Sequence, residues 1–369
     1  MRGNPESVTD FVPQARNGGS APQCAGITGM GYYVPTRVLT NGELERMVDT
    51  NDEWIVSRTG ISERRLAAAD ESTADLAEQA ARRALHDAAA QPEDVDLIIV
   101  ATSSPDYQFP STAALLQHQL GCPCAAFDVV AGCSGFVYAL IVAQQFVGTG
   151  AARTVLVVGA EVLSRIVDWT DRNTCVLFGD GAGAAVVQAA PSGCGILGFD
   201  WGADGSGGHL LKLALRDEDT SSSSADSTGA ALSGAVATSE PGRIYQNGRE
   251  VYRFALKVMG ESALRTLERS GLQSDDIDLL VPHQANRRII EEAAKRLDVP
   301  AEKVFINIEK YGNTSAASIP IALCEAREAG RIKPGDIILA VGFGAGLAWA
   351  SCVMRWTTGC ETNVTRLEA

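Results

Sequence analysis

The chain has 369 residues, 46% hydrophobic and 21% charged, enough for two domains or for one large fold built twice. A formal net charge of −14 argues against a nucleic-acid partner, because phosphate binding calls for clustered Lys and Arg. Nine cysteines, an odd number with no C-x-x-C pair, indicate neither a disulfide framework nor a zinc ribbon and point to a reduced intracellular compartment.

Residues 1–24 carry Pro, Gly, Ser and Asn without an apolar core, so they are not a secretory signal. They are expected to be a disordered leader, or a remnant of an organelle transit peptide. Ordered structure is expected from Ala25-Gly-Ile-Thr-Gly-Met-Gly, a short strand. Glu43–Val48 and the segment from Asp52 to Val56 are expected as helices. Ser72–Ala90 is amphipathic, with Ser72 or Thr73 as its cap. Leu97–Thr102 is an apolar strand and Thr112–Leu120 a helix. The Cys122-Pro-Cys124 pair reads as structural. A strand, Ala126–Val130, meets Ala131-Gly132-Cys133 and then an uncharged apolar helix, Phe136–Val147. This spacing puts Cys133 in the first helical turn, where unpaired N–H groups and the helix dipole favour a thiolate. Thr154–Gly159 is another buried strand, and Gly179–Val187 turns into a strand that closes the first half. No run of 18 apolar residues is present to span a membrane.

The second half repeats the first. Pro92-Glu-Asp-Val-Asp-Leu-Ile-Ile-Val matches Ser274-Asp-Asp-Ile-Asp-Leu-Leu-Val, with Asp96 and Asp278 separated by 182 positions. Val155-Leu-Val-Val-Gly159 matches Ile338-Leu-Ala-Val-Gly342 at a shift of 183, and Tyr138-Ala-Leu140 falls on Ile321-Ala-Leu323. Matches at offsets of 182 and 183 predict a duplicated α/β fold with mostly parallel sheets, split as 25–195 and 196–356, with the site at the seam. The polar stretch 217–242 is expected as a mobile loop and 357–369 as a frayed tail.

Two stretches complete a constellation with Cys133. Leu279-Leu-Val-Pro runs into His283, and Asn313 stands in a small-residue loop before a helix. A shift of 183 takes Cys133 to Ala316, so the Asn loop and the Cys loop occupy related places in the two halves. A thiolate attacks a carbonyl, while His and Asn donate to an oxygen that becomes anionic. The glycine loop Val341-Gly-Phe-Gly-Ala-Gly346 offers main-chain N–H groups for the same purpose.

These residues resemble the β-ketoacyl-acyl-carrier-protein synthase III family. The motifs are Asp49-Thr-Asn-Asp-Glu-Trp-Ile-Val-Ser-Arg-Thr-Gly-Ile, Gly132-Cys-Ser-Gly-Phe, Phe178-Gly-Asp-Gly-Ala-Gly-Ala, Pro282-His-Gln-Ala-Asn and Gly312-Asn-Thr-Ser-Ala-Ala-Ser. The resemblance covers about residues 25–356 and implies a thiolase-like fold of five layers, αβαβα. It implies a decarboxylative condensation of a short acyl-CoA, most simply acetyl-CoA, with malonyl-acyl-carrier protein. Cys133 would carry the acyl group, and His283 and Asn313 would support decarboxylation. The oxyanion hole would be the N–H groups of Cys133 and Ala345. CoA would contact Trp54, Arg58, Arg172, Gly248 and Asn286, and the acyl pocket would involve Phe109, Phe178 and Phe343. Phe109 holds the family position that crosses a homodimer interface, and its bulk implies a short primer. The CoA thioester is a substrate, so no cofactor is implied. An acidic carrier protein calls for a basic patch, for which Arg249, Arg253, Arg287 and Arg288 are candidates. Location would be the cytoplasm, or the stroma of a plastid.

Three other readings compete. A relative from polyketide or other secondary metabolism would prime with another acyl group or transfer it to a hydroxyl, yet Asn313 beside His283 favours carbon–carbon bond formation. A cysteine peptidase can also order Cys, His and Asn, but the internal duplication speaks against it. A non-catalytic partner subunit would have lost Cys133. Gly179-Asp-Gly-Ala-Gly183 precedes a strand instead of opening a helix, so it does not cradle a dinucleotide.

Overall fold

A computed structural model describes residues 24–215 and 241–357. All but one residue of the expected leader and of the expected tail, and nearly all of the expected mobile loop, lie outside these residues. The first half runs β1 (Cys24–Tyr33), β2 (Arg37–Thr40), α1 (Asn41–Leu44), α2 (Asp52–Thr59), β3 (Glu63–Leu66), α3 (Thr73–Asp87), β4 (Leu97–Ala101), α4 (Thr112–Leu120), β5 (Ala125–Val129), α5 (Gly135–Gly148), β6 (Thr154–Glu161) and β7 (Gly181–Ala190). The second continues with β8 (Gly195–Ala203), β9 (Leu211–Leu213), β10 (Ile244–Gln246), α6 (Gly248–Arg269), β11 (Leu279–Pro282), α7 (Arg287–Arg296), α8 (Ile308–Tyr311), α9 (Ser318–Glu328), β12 (Ile337–Gly344) and β13 (Ala348–Arg355).

Local chemistry sets the helix starts. Ser72 accepts from Asp75 N–H while the Asp75 carboxylate accepts from Ser72, a reciprocal cap on α3. The helix expected over Glu43–Val48 is instead α1. Thr40 caps it and Glu43 is its third residue, so the helix begins before the apolar pattern does and gives way to turns after Leu44.

Two main sheets are ordered β1-β7-β6-β4-β5 and β11-β12-β13-β8. Helices α5 and α9 lie between them, α3 and α4 cover the first sheet outside, and α6 and α7 cover the second. Apolar clusters fill the three interfaces: Phe136, Leu140 and Leu323 between the sheets, Leu76 and Leu116 under α3 and α4, Met259 and Ile290 under α6 and α7. This is the five-layered arrangement. The sheets are mixed, which corrects the expectation of mostly parallel strands: β4–β5, β4–β6 and β11–β12 are parallel, and β1–β7, β6–β7, β12–β13 and β8–β13 are antiparallel. Only the strands linked through a helix run parallel. The connection from β12 to β13 is a three-residue turn, which requires reversal.

The duplication is physical. Asp96 accepts from the N–H groups of Arg153 and Thr154 at the start of β6, at 2.7 and 3.1 Å. Asp278 accepts from Ile337 N–H at the start of β12, at 2.8 Å. Each aspartate therefore pins the incoming parallel strand of its own half. Among the described residues the fifth strand of the first sheet has a single parallel bridge, Leu280 to Val304, as its counterpart. Among the described residues no helix is long and apolar enough to cross a membrane.

Candidate active site

Strand β5 leads to a short 3₁₀ turn, Gly132–Ser134, and α5 begins only at Gly135. Cys133 thus stands one turn ahead of the helix, not within its first turn. Gly132 has φ +53, and a Cβ there would come within 2.5 Å of Ala345 N. A Cβ on Gly344 would lie 2.3 Å from Cys133 N. Only glycines let the loop after β12 lie flat on this turn, and the closeness sets the N–H groups of Cys133 and Ala345 side by side.

Burial pushes the Cys133 thiol up to about 12. Hydrogen bonds from Ser315 and Asn313 side chains pull it back, and the Glu161 carboxylate pushes it further up. The resting group is therefore a thiol. The thiolate expected from the sequence is overturned because loss of hydration outweighs a helix dipole that starts a turn away.

His283 follows β11, and its own N–H donates to Val341 O at 2.8 Å. Its side chain is 1% exposed, and burial holds the imidazole down at about 3, so it is neutral. Nδ1 lies 2.6 Å from Ser318 Oγ, which accepts from Gln284 N–H at 3.4 Å. The serine hydroxyl, having accepted there, gives its proton to Nδ1. Nε2–H is then the donor left for the cavity. Phe343 meets the ring edge-on at 5.7 Å between centroids. Asn313 is held by its backbone: its N–H donates to Leu177 O at 2.8 Å, and its carbonyl accepts from Gly179 at 3.1 Å. Its Oδ1 accepts from Ser315 N–H at 2.8 Å, which turns the amide NH2 to Cys133.

All three groups line one cavity of about 850 Å³, in the size range of small-molecule sites. Exposed Arg58 and Arg249 stand at one end and buried His283 and Asn313 at the other. Trp54, Gly248, Asn286, Phe178 and Phe343 also line it. Arg172 is not beside an open slot. Its guanidinium lies over the Trp54 ring at 4.8 Å and donates to Asp49 O at 2.7 Å, so a base can enter between the two only by moving Arg172. Asn286 caps α7 through Arg288 N–H at 2.9 Å and donates to Arg58 O at 2.9 Å, tying α2 to the second half. Phe109, the residue expected to cross a dimer interface, is 84% exposed and lies outside the cavity of its own chain.

Three contributors went unassigned in the sequence: Ser315, Ser318 and Glu161. The serines fall on Gly132 and Gly135 under the 183 shift, so the shift itself marks them as facing the nucleophile. Glu161 ends an otherwise apolar strand, and an acid at such a strand end is a signal of a site.

Two family profiles match: 3-oxoacyl-[acyl-carrier-protein] synthase III over residues 127–205 and its C-terminal companion over 267–356. The β-ketoacyl-[acyl-carrier-protein] synthase III of Caldanaerobacter subterraneus is 56% identical over 336 residues, 90% of this chain and 98% of that protein. That of Geobacillus kaustophilus is 53% identical over 334 residues, covering 90% and 99%. The crystal structure of 3-oxoacyl-[acyl-carrier-protein] synthase III from Aquifex aeolicus superposes with a TM-score of 0.81 at 47% identity, covering 90% of this chain and 100% of that one. With identity at this level over nine-tenths of its length, the chain belongs to the β-ketoacyl-[acyl-carrier-protein] synthase III family, the condensing acyltransferases that initiate fatty-acid synthesis.

Proposed function

We propose that Cys133 takes an acyl group from a short acyl-CoA, acetyl-CoA being the simplest, and that the acyl-enzyme is then attacked by the enolate of malonyl-acyl-carrier protein. The observation that carries this reading is the single cavity in which a partly exposed thiol meets two neutral donors, His283 and Asn313. The N–H groups of Cys133 and Ala345 stabilise the tetrahedral oxyanion on Cys133. Nε2–H of His283 and the amide of Asn313 hold the oxygen of the malonyl thioester as it gains charge with loss of CO2. A neutral imidazole suits this work, since it donates without having to lose a proton. The pantetheine arm runs past Asn286 and Gly248, and the adenine settles at Trp54, Arg58 and Arg172 once Arg172 leaves the indole.

The occupied pocket is completed by a second copy of the chain. Strand β5 is a sheet edge, and Phe109, Tyr107 and Val130 beside it are exposed large apolar groups. A homodimer joined there covers them and brings Phe109 to the partner's acyl pocket, where its bulk restricts the primer. The acidic carrier docks near the mouth on Arg249, with Arg288 two residues beyond Asn286. Arg253 and Arg287 contribute less, being paired with Glu250 at 2.8 Å and Glu309 at 3.6 Å. The bacterial relatives favour the cytoplasm as its location.

Incubation with acetyl-CoA alone is expected to add about 42 Da to the protein, the mass of an acetyl group less one hydrogen. Peptide mapping should place it on Cys133. No adduct, or an adduct on another cysteine, removes the acyl-enzyme from the scheme.

A further inference from the structure

Arg64, in the middle of β3, is 0% exposed. A guanidinium taken out of water is costly unless it is paired. The acceptors that it holds are nevertheless neutral. Nη1 donates to Leu39 O at 3.2 Å and to Asn41 Oδ1 at 2.8 Å, and Nη2 donates to Val176 O at 2.7 Å. Among the described residues its Nε has no hydrogen-bond partner. Burial pulls the group down to about 10, so it stays cationic at neutral pH. A cation donates more strongly than an amide, and its planar fork lets one side chain hold acceptors in two directions.

The bond to Val176 falls on the stretch that carries Asn313. Residues 172–177 form turns, and Phe178 pairs with Asn313 as an isolated parallel bridge. Asn313 N–H donates to Leu177 O at 2.8 Å, and Asn313 O accepts from Gly179 N–H at 3.1 Å. Asn313 is therefore placed only as well as residues 177–179 are placed. Strand β3 mounts that stretch at both ends. The Arg64 guanidinium holds Val176 O, and Arg65 O accepts from Asp180 N–H at 2.9 Å. The Arg64 stem lies behind it: a Cβ on Gly179 would come within 3.0 Å of Arg64 Cβ, and one on Gly312 within 3.4 Å. On its other side the guanidinium rests on Leu39 and Asn41, where β2 meets α1. Asn41 donates in turn to Asp52 Oδ1 and to Ile61 O, both at 2.8 Å, so this support is fixed by bonds of its own.

We propose that Arg64 is a positioning residue for the decarboxylation step: by bridging Asn41 and Val176 it fixes the stretch 176–179, and through it the Asn313 amide. This rests on the reading of Asn313 given above. Arg64 does not line the cavity and touches no reacting atom. The Cys133 turn takes its place from Gly344 and Ala345 instead, and α2 keeps its tie to Asn41 through Asp52. Acyl loading is therefore independent of the bridge, and loss of the bridge acts selectively. A displaced amide meets the thioester oxygen badly at the moment charge builds on it.

The test compares Arg64→Met with the wild type in the two half-reactions. The methionine keeps a stem and removes every donor. Acylation of Cys133 at saturating acetyl-CoA is followed by rapid quench and intact mass. Decarboxylation of saturating malonyl-carrier is measured in a Cys133→Ala background, with and without Asn313→Ala. The expected result is decarboxylation slowed about 10- to 100-fold, the scale for a misplaced group, with acylation at the wild-type rate. Added to Asn313→Ala, Arg64→Met should slow decarboxylation no further, because the group it places is already gone. Arg64→Lys keeps the cation but has one nitrogen where the bridge uses two. The same result is expected of it, and it serves if Arg64→Met misfolds. Decarboxylation at the wild-type rate in either folded variant overturns the proposal. So does an equal fall in acylation, which marks a general loss of structure, or a further fall on top of Asn313→Ala. If Asn313→Ala alone leaves decarboxylation unchanged, the donor role of Asn313 falls first and the proposal with it.

Discussion

Replacing Cys133 by alanine is expected to lower condensation by about four orders of magnitude or more, the scale seen when a covalent nucleophile is removed, while malonyl-carrier still loses CO2. The division follows from where the groups are anchored. The nucleophile sits on a turn of the first half, and the donors are fixed elsewhere: His283 by Val341 and Ser318, Asn313 by Leu177, Gly179 and Ser315. Removing one sulfur leaves these anchors in place. Two readouts separate the outcomes, mass after acetyl-CoA and CO2 released from malonyl-carrier. Loss of both together would mean that the sulfur itself organises the donors, contrary to the anchoring described.

His283→Ala should do the reverse. Acyl loading persists, and condensation falls about 10²- to 10³-fold, the usual effect of deleting one preorganised donor to a developing oxyanion. The imidazole also leaves a mark on stability. Its native value of about 3 lies below the ordinary 6.5, so between those values the unfolded chain binds a proton that the native chain does not. Stability from this group is complete above about 6.5 and declines as the pH falls toward about 3, by on the order of a few kcal/mol. His283→Gln keeps a polar group and removes the titration. Urea unfolding across pH 7 to 4 should therefore show a shallower acid loss in His283→Gln than in the wild type; equal slopes would mean that His283 is protonated in the native chamber.

Much of this was legible in the residues, for physical reasons that differ from part to part. Cys133, His283 and Asn313 each follow an apolar strand or precede a helix, and strand ends are where a layered α/β fold collects its chemistry. The repeat was visible because Asp96 and Asp278 do the same mechanical job at strand starts. Strand direction was less visible: apolar runs look alike whichever way they point, and the return from β12 to β13 depends on a three-residue turn. The protonation state of Cys133 was misjudged because proximity to a helix can be read from sequence, whereas burial arises only when the Ser315 turn and the end of β12 pack against the Cys133 turn. Ser318 could not be singled out among neighbouring serines until its hydroxyl was seen on His283. Phe109 has a role only if a second chain supplies the pocket.

The interleaving of α5 and α9 between the two sheets has a consequence for the integrity of the molecule. Each inner helix rests on the other half as well as its own: Phe136 and Leu140 share one apolar cluster with Val281, Ala340 and Cys352. Neither repeat can complete its interior alone, and a chain severed in the polar stretch near residue 230 is expected to behave as complementing fragments. Each piece produced singly should aggregate, and the two produced together should regain activity. Gene doubling here would have created one cooperative body, not a pair of autonomous ones.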